Sequence, residues 1–368
     1  METGHFSNTK YALDRIERKR EISELYKIPI DEIYDLSSGD NLFISPTLIQ
    51  DIIFKQILSI DPRDSYPFNY DSLITEIALF SGVDPSSIYI GTTHNLLIQR
   101  VVSTYTKPND KILILCPDKE IYSLIANKFH LTIERIPLVE NFSFDLEGIF
   151  QKIKKIKPKI MVLSSPNFPT ANQFEREKLL KIVRETSMHL VIDESYVEFG
   201  DYSFLKEVKN FDNLTVVRTF SKAWGLGSFA CAYLIGNDKL VEKLKFEYFI
   251  EEIPPISLLV TKYTLQNPYI FLNAIEHFIE EKKRVIENIK ILNRVKVYTS
   301  HTNFLLIKFN GDINELYDFM CSKGIIVRTF CKEKHCKKLS ESFLVTLADN
   351  KLNKKLVLSL VEALETLP

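Results

Sequence analysis

A lysine between a hydroxyl residue and a glycine turn is the side chain of this sequence best placed for covalent chemistry. Lys222 follows Ser221 just after an apolar stretch at 214–217, and Gly225 comes soon after it. A lysine that forms a Schiff base with an aldehyde must be held in place and must lose its proton readily. Ser221 can hold the phosphate of an aldehyde cofactor. The segment therefore predicts a Schiff-base lysine, and a solvated surface lysine is the alternative.

Two other polar segments also follow apolar stretches. Asn167 lies after the stretch 160–163, and Asp193 and Tyr196 follow the stretch 190–192. Because ligands of parallel sheets bind beyond the carboxyl ends of the strands, we expect these side chains to lie together with Lys222. Buried turn residues are the alternative for each of them.

A small polar loop at 91–95 follows a short apolar strand and opens a predicted helix that runs to about residue 105. Thr93, His94 and Asn95 would lie at the helix N-terminus, where backbone amides and the helix dipole attract an anion. Simple helix capping is the alternative. Tyr66, just before a proline, can present its phenol to a phosphate or pack within its own turn.

Strands and helices alternate between about residues 111 and 236. Near-continuous apolar runs indicate a buried, mostly parallel sheet. The predicted strands are 111–115, 131–136, 160–163, 190–192, 214–217 and 232–235, with helices at 119–129, 145–156 and 173–186 between several of them. This pattern predicts an α/β fold, a three-layer sandwich around a mostly parallel central sheet.

The two ends of the chain are expected to form a smaller α+β domain. An amphipathic helix or arm is predicted at 10–26, and a long helix is predicted at about 269–292. Strands at 295–298, 304–309 and 343–347 and a helix at 313–322 follow. We therefore predict a large domain at 37–265 and a small domain formed by 1–36 and 266–368.

Composition limits the classes of protein. The chain has 368 residues and a net charge of −1, which offers no field for nucleic acid or an anionic membrane. No apolar run approaches the roughly 18 residues that a membrane helix needs, and the N-terminus is too charged for a signal peptide. We expect a cytoplasmic protein, and its odd number of cysteines, 5, suits reduced thiols.

The segment 331–336 contains two cysteines and a histidine, side chains that can bind zinc. A structural zinc ion needs four ligands, and no second Cys/His pair lies close in sequence. We therefore predict a solvated loop and no metal.

Three motifs carry a resemblance to a known family. They are Ser-Pro-Asn-Phe-Pro-Thr at 165–170, Ile-Asp-Glu-Ser-Tyr-Val-Glu-Phe at 192–199 and Arg-Thr-Phe-Ser-Lys-Ala-Trp-Gly-Leu at 218–226. In this order and spacing they resemble fold-type-I pyridoxal-phosphate-dependent aminotransferases, specifically the histidinol-phosphate aminotransferase branch. The similarity extends from about residue 34 to the C-terminus.

The resemblance implies a catalytic role for three of these residues. Lys222 would carry pyridoxal 5'-phosphate as an aldimine and then move a proton between substrate and cofactor. Asp193 would keep the pyridine nitrogen protonated, which makes the ring an electron sink. Tyr196 and Asn167 would hydrogen-bond the phenolic oxygen of the cofactor.

The resemblance also implies a phosphate site and an oligomer. Thr93, His94 and Ser221, with the adjacent Asn95, would hold the cofactor phosphate. Tyr66 would reach that phosphate from a second subunit, because members of the family are homodimers with shared active sites.

Two departures from the family concern the cofactor. The family usually has an arginine on the cofactor phosphate where this chain has Ala230. Loss of such a charge-assisted pair costs about 1.5 to 3 kcal/mol, unless His94 or another cation compensates. Lys119 replaces the aromatic residue that the family stacks on the ring.

A third departure concerns the substrate. Leu344 stands where the family has the arginine that binds the substrate carboxylate. Asn303 and Arg328 match family positions near the substrate. Either the substrate lacks a carboxylate in the usual place, or Arg328 or Lys119 has taken over this role.

Three functions remain open from the sequence. The first is an aminotransferase for a small, possibly phosphorylated, amino or keto compound. The second is a pyridoxal-phosphate-dependent decarboxylase, lyase or cyclase of an amino acid, for example a phospho-amino acid decarboxylase. The third is a non-catalytic, aminotransferase-like binding protein, which the presence of Lys222, Asp193, Tyr196 and Asn167 disfavours.

Overall fold

The computed structural model describes residues 8–61, 63, 70–248, 253–330 and 337–367, with side chains from residue 15 onward. Within them the chain forms two compact units. The larger unit comprises described residues of Asp40–Glu280 together with Tyr298–Asn303. The smaller unit comprises described residues of Met1–Gly39, Glu281–Val297 and Phe304–Pro368.

The described residues form helices and strands that we number in chain order. The helices are α1 (Asn8–Tyr26), α2 (Pro46–Ile57), α3 (Asp71–Ser81), α4 (His94–Tyr105), α5 (Glu120–Lys128), α6 (Leu146–Ile156), α7 (Arg176–Glu185), α8 (Asp238–Glu247), α9 (Pro255–Gln266), α10 (Pro268–Lys290), α11 (Ile313–Ser322) and α12 (Asn350–Thr366). The strands are β1 (Tyr34–Asp35), β2 (Ile88–Gly91), β3 (Lys111–Cys116), β4 (Thr132–Pro137), β5 (Ile160–Ser164), β6 (His189–Asp193), β7 (Leu214–Thr219), β8 (Ala232–Ile235), β9 (Val295–Val297), β10 (Phe304–Phe309), β11 (Ile325–Ile326), β12 (Arg328–Thr329) and β13 (Ser342–Thr346).

The larger unit is built on a sheet whose described strands run in the order β2-β8-β7-β6-β5-β3-β4. All pairs from β7 to β4 are parallel, whereas β8 is antiparallel to both of its neighbours. Strands β5 and β6 are buried along their whole length, as the unbroken apolar runs of their sequences require. The predicted α/β fold with a mostly parallel sheet is confirmed.

Helices pack on this sheet through apolar faces. Leu97, Ile98 and Val101 of α4 are fully buried and belong to one core cluster with Val191 and Val217 of the sheet. The spacing of these helix positions, three and four residues apart, places them on one face. This packing holds the N-terminus of α4 at the sheet.

Strand register brings the polar strand ends to one edge of the sheet. Ser164 at the end of β5 pairs with Asp193 at the end of β6, and Asp193 pairs with Val217 of β7. Ala232, which begins β8, pairs both with Gly91 at the end of β2 and with Thr219 at the end of β7. The residues that follow β2, β5, β6 and β7 are therefore neighbours.

The smaller unit combines helices with an antiparallel sheet of described strands in the order β12-β13-β10-β9. A separate parallel pair joins β1 to β11. Arg15 of α1 binds the buried carboxylate of Asp35, with 2.8 Å between Nε and Oδ2. Arg328 and Leu344 are register partners in β12 and β13.

The described residues contain neither a candidate membrane-spanning helix nor a candidate metal-binding cluster. None of the helices there has the length and apolar character needed to cross a membrane. Those residues also contain no group of His, Cys, Asp or Glu side chains arranged to hold a metal ion. The considered zinc segment at 331–336 lies outside the described residues.

Candidate active site

The loop after β7 that carries Lys222 is held by hydrogen bonds to its backbone. The side-chain amide of Asn41 donates to the carbonyl oxygens of Lys222 and Ala223, at 3.0 and 2.9 Å from Nδ2. Gly225 has a φ of 70°, a left-handed conformation that favours glycine. These features fix the backbone of Lys222 at the end of its strand.

Buried polar contacts also stabilise the loop that carries Lys222. Nε1 of Trp224 donates to Oε1 of Glu198 at 3.0 Å. Arg218 of β7 forms a buried ion pair with Glu194, with 2.9 Å between Nη2 and Oε2. Because Glu194 directly follows Asp193 and Arg218 precedes Lys222, this pair ties the two candidate catalytic segments together.

The ammonium group of Lys222 has an acidic partner that the sequence did not indicate. Its Nζ lies 3.1 Å from Oδ1 of Asp40 and 5.7 Å from the centre of the Tyr196 ring. Burial alone would lower the pKa of Lys222, but Tyr196 and Asp40 raise it above its ordinary value. These contacts therefore favour the ammonium form of Lys222.

Asp193 is a fully buried carboxylate surrounded by donors. Oδ2 accepts from Nζ of Lys119 at 2.6 Å and from the hydroxyl of Tyr122 at 2.8 Å. Oδ1 accepts from the backbone N of Ser195 at 3.0 Å and from its hydroxyl. Burial would raise the pKa of Asp193, but the charge of Lys119 and these hydrogen bonds hold it below the ordinary value. The carboxylate is therefore ionised and matched by a cation.

Lys119 is positioned through its neighbour Asp118. The hydroxyl of Ser164 donates to Oδ1 of Asp118 at 2.6 Å, and the backbone N of Lys119 donates to the same oxygen at 2.8 Å. Burial raises the pKa of Asp118 to about 7. This cluster fixes the start of α5 against the end of β5, so that the lysine side chain points at Asp193.

Tyr196 and Asn167 lie near this centre in buried positions. The Tyr196 ring centre is 5.6 Å from Nζ of Lys119 and 5.7 Å from Nζ of Lys222. Oδ1 of Asn167 accepts from the hydroxyl of Thr170 at 2.6 Å, and Nδ2 donates to Ser164 at 3.3 Å. Burial raises the pKa of Tyr196, which keeps its hydroxyl protonated near neutral pH.

The predicted phosphate cup lies at the same edge of the sheet. Thr93 caps α4, since its hydroxyl accepts from the backbone N of Leu96 at 3.2 Å. Ser221 accepts at its hydroxyl from Thr219, with 3.0 Å between the two oxygens. Oδ1 of Asn95 is buried and has no hydrogen-bond partner among the described residues. Capping and an anion site are both compatible with this helix start.

His94 does not supply the missing positive charge. It interacts electrostatically with Asp193, Lys119 and Lys222, and burial, aided by the two lysines, lowers its pKa to about 4. The imidazole is therefore neutral near pH 7. His94 is therefore not the cation that would compensate for the missing arginine near neutral pH. Ala230, at the position of that arginine, has a left-handed φ of 35°.

Three further residues were predicted for the site: Asn303, Arg328 and Tyr66. Asn303 belongs to the larger unit, where its Nδ2 donates to the backbone oxygen of Asp40 at 2.8 Å. Arg328 belongs to the smaller unit, with its guanidinium 5.4 Å from the ring centre of Phe330. Tyr66 lies outside the described residues.

Several contacts of the site could not be read from the sequence. Asp40 and Asn41 lie in a polar turn at 36–41, for which the sequence leaves an active-site rim and a plain connector open, and it indicates no role for either residue. Tyr122 stands three positions after Lys119, a spacing that places two side chains on one helix face and could have indicated it. Nothing in the sequence pairs Lys119 with an aspartate 74 positions away.

Known proteins are similar to this chain over most of its length. The family model for aminotransferase class I and II matches residues 31–360. The histidinol-phosphate aminotransferase of Buchnera aphidicola subsp. Cinara cedri is 34% identical over 271 residues, which cover 72% of this chain and 76% of that protein.

Solved structures share the fold. The histidinol-phosphate aminotransferase from Clostridium acetobutylicum superimposes with a TM-score of 0.82 at 24% identity, over 91% of this chain and 100% of that one. The histidinol-phosphate aminotransferase from Sinorhizobium meliloti in complex with pyridoxal-5'-phosphate has a TM-score of 0.81 at 16% identity, over 95% and 94% of the two chains.

The neutral state of His94 predicts a loss of stability in acid. Its folded pKa is about 4 against an ordinary value of 6.5, so its contribution is present above pH 6.5 and is lost as the pH falls through 4. The free energy of unfolding of the unmodified chain should fall in acid, and we expect this fall to be smaller by about 1 to 3 kcal/mol in His94→Asn. Urea unfolding at about pH 7.5 and about pH 5 measures it.

The control is His130→Asn, because His130 is exposed and its left-handed φ of 53° is one that asparagine accepts. This variant should retain the pH dependence of the unmodified chain. If His94→Asn retains it as well, His94 is not the group that titrates.

The contact between Asp40 and Lys222 predicts a second pH effect. Asp40→Asn removes the negative charge that holds the proton on Lys222, so the amine should react with an aldehyde at a lower pH. We expect the midpoint of the pH profile for Schiff-base formation with pyridoxal 5'-phosphate to fall by about one pH unit. Absorbance titration measures the midpoint, and Asp51→Asn, at an exposed site in α2, is the control. An unchanged midpoint in Asp40→Asn would contradict this assignment.

Proposed function

The chain belongs to the aminotransferase class I and II family, and we propose that it is a pyridoxal-phosphate-dependent aminotransferase for a small phosphorylated amino or keto compound. The observation that carries the proposal is the grouping of Lys222, Tyr196 and Asp193 at the carboxyl edge of the sheet. The phosphate group is inferred because similar proteins are named histidinol-phosphate aminotransferase.

The chemistry of the pocket fits pyridoxal phosphate. Lys222 provides a primary amine, and Asp193 provides an ionised carboxylate that already holds a cation. The ammonium of Lys119 stands in for the protonated ring nitrogen that such a carboxylate would bind. The N-terminus of α4 and the hydroxyls of Thr93 and Ser221 offer donors for a phosphate at the same edge.

These positions lead to the role that we propose for each residue. When bound, pyridoxal phosphate supplies an aldehyde for amines and a ring that accepts the electron pair of a deprotonated carbon. Lys222 would hold the cofactor through its primary amine and would serve as the base that moves the proton at the substrate α-carbon. Asp193 holds the positive charge at the ring nitrogen. Tyr196 and Asn167 orient the phenolic oxygen.

Arg328 is our candidate for binding the substrate anion in place of the family arginine. It is the register partner of Leu344, and directly opposite residues in an antiparallel pair project from the same face of the sheet. An arginine at 328 can therefore serve the face that an arginine at 344 would serve. Asn303 and Lys119 remain proposed substrate contacts.

The proposal includes a homodimer with shared active sites in the cytoplasm. Tyr66 would act from the second subunit, as the family pattern implies. Transamination is favoured over decarboxylation, lyase or cyclase chemistry and over a non-catalytic role, because the relatives described above carry the aminotransferase name.

Loading and amine transfer test this function. Purified protein with pyridoxal phosphate should develop a visible absorbance band, and borohydride reduction should leave the cofactor mass on the peptide that contains Lys222. Lys222→Ala should lose at least about a thousandfold in transfer rate, because amine and base disappear together. Lys206→Ala, at a position outside the site, is the matched control.

The substrate is tested with the same loaded protein. Histidinol phosphate should convert the bound cofactor to its pyridoxamine form, whereas histidinol without phosphate should do so far more slowly. Equal rates would contradict a phosphate-specific site. If the protein shows neither the absorbance band nor any binding of pyridoxal phosphate, only a binding role that does not use this cofactor remains.

Ala230 replaces the family arginine that binds the cofactor phosphate, so an arginine introduced at this position should strengthen cofactor binding. Ala230→Arg should tighten pyridoxal phosphate about tenfold or more, since a charge-assisted pair is worth about 1.5 to 3 kcal/mol. Ala230 already has a Cβ at its left-handed φ, so the change adds no new backbone strain of that kind. Fluorescence titration gives the Kd, and Ala230→Gln separates charge from side-chain length. No gain over Ala230→Gln would mean that this position does not reach the phosphate.

A further inference from the structure

Lys119 is the cationic partner of the Asp193 carboxylate. Its Nζ is 2.6 Å from Oδ2 of Asp193 and 3.3 Å from the hydroxyl of Ser195. The side chain of Asp193 is 0% exposed and that of Lys119 is 12% exposed. A buried carboxylate needs a cation close by, and this lysine meets that need.

The carboxylate has little capacity left for another donor. An ionised carboxylate has about four acceptor positions. The contacts from Lys119, Tyr122 and the two donors of Ser195 use that number. A protonated ring nitrogen therefore reaches Asp193 only if one of these donors leaves.

Lys119 is the donor that has to leave. Ser195 donates partly through its backbone, two residues from Asp193, and burial raises the pKa of Tyr122 well above its ordinary value, so that it stays a neutral donor. A second cation beside Lys119 would be repelled strongly at hydrogen-bonding distances in a buried site. The lysine also has a flexible four-carbon stem, whereas its backbone is fixed by Asp118.

We propose that Lys119 is an internal competitor of the cofactor, whose ammonium must be displaced from Asp193 before a cationic pyridine ring can bind there. This inference rests on the proposed function. It makes Lys119 a determinant of cofactor affinity, in addition to its proposed role as a substrate contact. Cofactor binding then exchanges one cation for another at a single carboxylate.

The test measures ligand binding and thermal stability, neither of which requires a bond to Lys222. Lys119→Gln removes the charge but keeps a donor for Asp193, and Lys119→Arg keeps the charge in a group that grips carboxylates more firmly. The probe is 4'-deoxypyridoxine 5'-phosphate, which lacks the aldehyde and therefore reports ring and phosphate binding without a bond to Lys222. Trp224, the single tryptophan of the chain, provides a fluorescence signal two residues from Lys222.

The competition makes opposite predictions for the two variants. The Kd of the probe should fall about tenfold or more in Lys119→Gln and should stay unchanged or rise in Lys119→Arg. The melting temperature of Lys119→Gln should drop in the free protein by more than in the complex, because only the free protein uses the lysine as counter-ion. Lys128→Gln, at the exposed end of α5, should change neither value.

An analogue with a benzene ring in place of the pyridine tests the role of the ring nitrogen. Its affinity should not gain from Lys119→Gln, because it brings no cation to Asp193. An unchanged or higher Kd of the pyridine probe in Lys119→Gln overturns the proposal while the proposed function stands. Failure of the unmodified protein to bind pyridoxal phosphate at all overturns both.

Discussion

The charge of one buried carboxylate constrains the whole candidate site. Asp193 ends a fully buried strand, and its side chain has no exposure to water. Taking a carboxylate out of water is costly unless a cation and several hydrogen bonds compensate. The donors of Lys119, Tyr122 and Ser195 provide that compensation. Any ligand that binds at Asp193 has to replace part of it.

The fold makes this arrangement possible by bringing strand ends together and then locking the loops that follow them. Parallel pairing places the end of β6 beside the ends of β5 and β7. The buried pair of Arg218 and Glu194 joins the segments of Lys222 and Asp193, and Asn41 fixes the Lys222 backbone. Side chains held by such contacts keep the geometry that covalent chemistry requires.

The ionisation states of the pocket differ from those that residue types alone suggest. Lys222 is held as an ammonium by Asp40 and Tyr196, and the pKa of His94 is lowered to about 4 by burial. The pocket thus holds two lysine–aspartate pairs, Lys119 with Asp193 and Lys222 with Asp40, and a neutral imidazole at His94. These pairs must rearrange for the pocket to accept a cationic ring at Asp193.

The sequence by itself determined the secondary structure and the set of strand-end residues. Apolar runs with helical stretches between them predicted β3 to β8 and their helices, because burial periodicity is a local property of the chain. The positions of Asp193, Lys222 and Ser164 at the sheet edge followed from the same pattern. Family motifs added their proposed roles, which the coordinates alone do not assign.

Tertiary structure alone decided which charges meet. The distance between Lys119 and Asp193, the contact of Asp40 with Lys222 and the neutral state of His94 depend on residues far apart in sequence and on burial. Electrostatic energies vary steeply with distance and with exposure to water, and neither quantity is encoded in local patterns. The sequence therefore indicated the candidate reactive groups, while the folded chain determined their partners and their protonation.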